Sequence, residues 1–302
     1  MVKIKYFFQR YWFFVMLAFL ATMIIGLVLI KPRIRPPTEV AQPATLEPPI
    51  LNQAKINPGK IAYQLNLTDE PSKVSQKLPV YRVSLQKQFD YSSLVKINLE
   101  GEKIVNSSEQ AVGYAKGFLE KNQRWNSTLE SGEYEVNFFK VGGYEVFQVD
   151  NFGNADIIAV HFYPKINKLL VVGVSPFSGL MEVWIGKNAQ IQKVKDFLAD
   201  YDQSYPLDYP LISFDQAWQN LENQKGMIVS LTKQDEVYSP VAVGLNSITI
   251  TQVFLAYYQP PELPNSLQPI WVFKGFALLQ DRTESEVAVY LPAIEETYFM
   301  TK

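Results

Sequence analysis

Cysteine is absent from this 302-residue chain and histidine occurs once, at His161. Without thiolates there is no disulfide, no thiolate nucleophile, no iron–sulfur cluster and no cysteine-containing zinc site. A single imidazole does not assemble a His-rich zinc centre, and no triad is identifiable around it. The G-x-S-x-G elbow, the glycine-rich phosphate loop, S-x-x-K with its companions and H-E-x-x-H are all missing. His161, between Val160 and Phe162 in IIAVHFYP, reads as a sheet-face residue with a satisfied hydrogen bond. Neither a cofactor nor a metal is called for, and catalytic residues cannot be named.

Excess positive charge is lacking too. Lys and Arg total 28 against 30 Asp and Glu. Up to Pro49 there are six basic and two acidic residues, leaving 22 basic and 28 acidic beyond it. That balance offers no basic face for nucleic acid, which is excluded as a primary partner.

Long uncharged apolar runs are confined to one place. Tyr11 to Ile30 reads YWFFVMLAFLATMIIGLVLI, the length that crosses a bilayer once. Basic residues flank it, Lys3, Lys5 and Arg10 before and Lys31, Arg33 and Arg35 after, and a cleaved leader would be shorter and followed by small residues. The expectation is a basic tail and anchor over residues 1–30, in contact with the lipid bilayer through residues 11–30. The N-terminus would be cytoplasmic and the remainder extracytoplasmic. Six prolines between Lys31 and Pro49 then predict an extended stalk over 31–58.

Alternating apolar positions follow. Half-buried strands are expected at Ile61–Leu67, Val80–Leu85, Tyr134–Phe139, Tyr144–Val149, Asp156–Tyr163, Leu169–Val174 and Leu180–Ile185, with turn residues such as Gly142–Gly143 and Lys165–Lys168 between them. Two helices open on S-x-x-Q capping boxes, at Ser107 and Ser213, and a third is predicted over Ala189–Tyr201 from Ile191, Val194, Leu198 and Tyr201. Each capped helix precedes a run of strands, which suggests two related units, 59–205 and 206–302. The fold class expected is α+β, with each helix on an antiparallel sheet.

Other clusters carry residue types suited to chemistry. Asp200, Asp202, Ser204 and Asp208 open like a calcium loop, but Tyr205 and Leu211 occupy the positions of its glycine and glutamate, so a solvated interdomain loop is expected. The pairs Glu133/Glu135, Glu284/Glu286 and Glu295/Glu296 read as edge charges that discourage sheet association. Tyr201, Tyr205 and Tyr209, beside Pro206 and Pro210, form a candidate interaction surface for a peptide or glycan.

The segments ISFDQAWQNL, ITQVFLAYYQPPE, LQPIWVFKGFAL and EVAVYLPAI resemble the C-terminal part of YycI-type and PepSY-like envelope proteins. Pro269, Trp271 and Phe273 match a P-x-W-x-F-like central strand, and Leu255 to Tyr258 the strand before it. The resemblance implies a capped helix on an antiparallel sheet, and a non-enzymatic regulatory module that engages another membrane protein such as a sensor kinase. The alternatives are an envelope hydrolase using carboxylates on wall polymer, and a passive peptide- or glycan-binding module.

Overall fold

Alternation of apolar and polar residues dominates the chain after residue 60 and produces two sheets. The computed structural model describes residues 45–51, 60–69, 76–84, 98–143, 145–232, 244–260 and 266–300. In chain order the elements are β1 (Ala62–Leu65), β2 (Lys77–Ser84), α1 (Ser108–Lys121), α2 (Ser127–Glu130), β3 (Glu133–Gly142), β4 (Glu145–Val149), β5 (Ile157–Tyr163), β6 (Lys165–Ile166) and β7 (Leu169–Val172). They continue with β8 (Met181–Gly186), β9 (Ile191–Asp196), β10 (Asp200–Pro210), α3 (Phe214–Glu222), β11 (Met227–Thr232), β12 (Leu245–Tyr258), β13 (Ser266–Leu279) and β14 (Glu284–Pro292).

The smaller sheet has five strands in the order β4-β3-β5-β8-β9, with every neighbour antiparallel. Gly143 takes φ +66° in its turn between β3 and β4, and in the larger sheet Asn167 and Lys168, at +50° and +66°, make the two-residue turn from β6 to β7. α1 closes one face. The Ser107 hydroxyl accepts the Gln110 N–H at 3.2 Å, and Ala111, Ala115 and Leu119 are buried against Ile158, Val160 and Phe162 of β5 and Val183 and Ile185 of β8. Small residues at the first two positions let the helix lie close to the sheet.

The larger sheet has nine strands. Its spine runs β10-β2-β13-β12-β7-β6, with β14 also paired to β13, β11 to β14 and β1 to β12. It is mixed, because β1 and β7 run parallel to β12. The fourteen-residue strands β12 and β13 are hydrophobic on both faces. Trp271 and Phe273 lie under Ala217 and Leu221 of α3, while Ile270 and Val272 pack on the opposite side with Tyr258, Tyr290 and Phe177. Trp271 donates its indole N–H to the Ile212 carbonyl at 3.3 Å and meets Phe214 edge-on. α3 carries the full reciprocal capping box between Ser213 and Gln216.

Four expectations are corrected. The α+β class gives way to a sheet-dominated fold, since the described residues hold three α-helices, one of them a single turn, against fourteen strands. The helix predicted over Ala189–Tyr201 is instead β9 and the start of β10. Within β9 the buried residues are Gln192, Val194 and Asp196, a period of two that polar side chains at two of the three positions concealed. The expected interdomain loop after Asp200 is β10, paired with β2 at Asp200–Asp202 and again at Leu207–Pro210 around an irregularity between them. β10 spans residues 205 and 206, and residues 43–302 form one compact unit.

The fourth correction concerns the membrane. No helix among the described residues is long and apolar enough to cross one. The expected span over residues 11–30 lies outside the described residues, as does the expected stalk over 31–58 apart from residues 45–51. A single-pass topology with an extracytoplasmic domain is therefore unsupported by the fold.

Candidate functional site

Strand alternation gives β5 two different faces. Ile158, Val160 and Phe162 turn to α1, so Ile157, Ala159, His161 and Tyr163 fall on the other side. Register then aligns His161 with Glu135 of β3 and with Glu182 of β8, and Glu182 with Lys195 of β9. Four ionisable side chains thus stand in one row across four strands. Directly opposed residues on one face lie about 4.5–5.5 Å apart at Cβ, close enough for each to feel the next.

The row is organised around Glu182, only 8% exposed. Lys195 Nζ donates to its Oε2 at 3.1 Å, and the Trp184 indole N–H donates to its Oε1. Both oxygens are engaged, as burial of a carboxylate demands. Trp184 is held in turn by stacking on Phe139, with centroids 4.9 Å apart, and by Lys193 over its ring at 4.7 Å.

His161 fits less comfortably. Its Nδ1 is 3.9 Å from Glu182 Oε2, too long for a hydrogen bond, and its buried Nε2 has no partner among the described residues. The sheet-face placement expected for this residue is present, but the satisfied hydrogen bond is not. Burial pushes the imidazole below its ordinary value of 6.5, Glu182 and Glu135 pull it back up, and Lys195 works with burial. The unfolded chain therefore takes the proton first. The contribution of neutral His161 to stability is complete above pH 6.5 and is lost as the pH falls below it. Urea midpoints measured between pH 7.5 and 5.5 should drop more steeply for the wild type than for His161→Gln; equal slopes would remove His161 from the account.

At the β3 end the row opens to solvent. Glu133, Tyr134 and Glu135 are exposed, Tyr134 by 56%. Glu133 receives the Lys165 ammonium, while the Tyr163 hydroxyl lies 3.0 Å from Glu135 Oε2 and 3.2 Å from the Phe177 carbonyl. Lys274, from β13, places Nζ 4.4 Å above the Phe177 ring; burial lowers its pKa, and Glu286 and Glu135 raise it.

The backbone here is as informative as the side chains. β5 pairs with β3 from Glu133 to Phe139, whereas β4 pairs only from Phe138 to Gly142. Residues 133–137 of β3 consequently have a strand on one side and, among the described residues, none on the other. The face opposite the glutamates carries Tyr134 and Val136, the latter packed with Trp125 on the core beneath α1.

Below the opposite edge, the chain is fastened by Arg124. This residue follows α1 and donates from Nε to Asp196 Oδ2 and from Nη2 to the Leu198 carbonyl at 3.2 Å, while Asp196 Oδ1 accepts the Leu198 N–H at 3.1 Å. The Asp196 side chain has no exposed surface, and burial raises its pKa against the pull of Arg124.

The three tyrosines singled out in the sequence do not gather at this site. Tyr209 is completely buried and meets Tyr298 edge-on, so it has no area to offer a ligand. Tyr201 donates its hydroxyl to the Gln259 side-chain carbonyl, which also accepts the Ala199 N–H, and burial raises its phenol pKa steeply. The side chain of Tyr205 lies outside what the structure describes. Of the carboxylate pairs, Glu133 and Glu135 do share a strand face, and Glu296 is instead bound to Lys225 at 2.9 Å. No three His, Asp or Glu groups among the described residues come close enough to hold a metal ion.

No protein-family model matches the chain, and no curated protein does. Among solved structures it is similar to an uncharacterized protein from Eubacterium rectale ATCC 33656, at 10% identity and a TM-score of 0.37 over 67% of this chain. The match spans 58% of that structure's length. Nothing in these comparisons bears on the YycI-type resemblance.

Proposed function

We propose that the chain is a non-catalytic protein-interaction module that captures an extended segment of its partner along the edge of β3. The observation that carries this reading is the five-residue stretch 133–137, which among the described residues is paired to β5 on one side only and is exposed at Glu133, Tyr134 and Glu135. An unpaired strand edge presents a row of backbone donors and acceptors, and adding a strand satisfies them on both chains. On the same face Glu182 is held by Lys195 and Trp184, and Glu135 by the Tyr163 hydroxyl. Enzymatic use of the two carboxylates is less well supported. Glu135 and Glu182 stand two strands apart, roughly 10 Å between backbones at the usual strand spacing, and both oxygens of Glu182 are already engaged.

Peptides selected by the purified chain from a random decapeptide library test the reading. Binders should lose affinity when alternate backbone amides are N-methylated, which blocks strand addition without touching the protein. Binders indifferent to N-methylation would reject an edge-pairing role.

A further inference from the structure

Two properties of the open edge restrict what it can accept, and on the edge-pairing reading above they identify the partner's chemistry. The first is charge. Glu133 and Glu135 project from one face at the two-residue spacing of a strand, both exposed. A second copy of this edge would set carboxylate against carboxylate, and like charges opposed across strands are destabilising. Self-association is thus disfavoured by the same residues that attract a basic strand. Lys165, bound to Glu133, already demonstrates the preference within the chain, and at an exposed site such a contact exchanges readily for another ammonium.

The second property is the opposite face. Tyr134, more than half exposed, and Val136 lie on the side where Trp125 meets Phe162 edge-on, with ring centroids 5.4 Å apart. A strand laid beside β3 turns its alternate residues toward this apolar shelf. The stretch from Glu133 to Asn137 is about 17 Å long at the usual rise per residue, room for two residues on one face and three on the other.

We infer that the β3 edge binds an extended peptide alternating basic and apolar residues, the basic side chains facing Glu133 and Glu135 and the apolar ones Tyr134 and Val136.

Fluorescence anisotropy with labelled Lys-Val-Lys-Val-Lys-Val amide tests this on the full chain. Affinity should fall on the order of tenfold in the Glu133→Lys/Glu135→Lys variant and weaken with added salt. The block peptide Lys-Lys-Lys-Val-Val-Val, equal in charge, and the Glu-Val counterpart should bind poorly, as should the alternating peptide with N-methylated alternate amides. Equal binding of the block peptide, or an unaffected charge-reversed variant, would overturn the assignment. If library peptides sensitive to N-methylation emerge without basic alternation, the edge still pairs with a partner and only the inferred chemistry is wrong.

Discussion

Arg124→Met is expected to remove about 3–5 kcal/mol of folding stability, the cost of leaving a buried charge without its partner. Asp196 has no exposed side-chain surface, and its remaining contact would be the Leu198 N–H. One amide does not replace a guanidinium in a region where water cannot reach. The loss should show in urea unfolding at neutral pH. Removing both charges has a different outcome: Arg124→Met combined with Asp196→Leu should recover much of the loss, since apolar groups of similar volume often substitute for a buried pair without penalty. A single variant that unfolds within about 1 kcal/mol of wild type would mean the pair behaves as an exposed one.

Gly275→Ala should be at least as damaging, by a different route. Gly275 faces Ile250 across β12 and β13, beside the irregularity between Ile250 and Gln252. A Cβ there would stand 1.9 Å from the Thr249 carbonyl oxygen and 2.9 Å from the Ile250 Cα. β13 is paired on its other side to β14, so neither backbone has room to withdraw. The expected loss exceeds the roughly 1–3 kcal/mol of ordinary overpacking and should appear as a collapse of the thermal midpoint or failure to fold. Gly113→Ala is the control. That glycine lies within α1, where an added Cβ would meet nothing inside 4 Å, and alanine there should stabilise by roughly 0.5–1 kcal/mol. Equal behaviour of the two variants would contradict the close approach of the strands.

Legibility in the sequence followed the range of the interaction. Ser107 and Ser213 announced their helices because a cap is made within four residues, and β3, β5 and β8 were visible because each has an alternating or continuous apolar run. β9 and β10 were hidden for a physical reason. Gln192 and Asp196 occupy inward positions only because Asn98 and Arg124, far away in the chain, satisfy them, so the local pattern mimicked a helix. Tyr201 and Tyr209 looked like surface residues near prolines, yet strand pairing with β2 buries Tyr209 and sets the half-buried Tyr201 against the core.

The candidate site was least legible of all. His161, Glu135, Glu182 and Lys195 become neighbours only through the register of three strand pairs, and register has no signature at single positions. The Glu133/Glu135 pair stands out by its spacing, and its reading as an edge charge agrees with an edge on β3. What spacing could not convey is that β4 begins its pairing at Phe138, so that among the described residues no strand flanks the first half of β3 on that side.

Amide hydrogen exchange on the full chain, with and without the Lys-Val peptide, tests the edge most directly. Strand addition predicts slower exchange at alternate amides within residues 133–137, with β9 and the larger sheet unchanged. Protection confined to other strands, or bound peptide with unaltered exchange along β3, would contradict it.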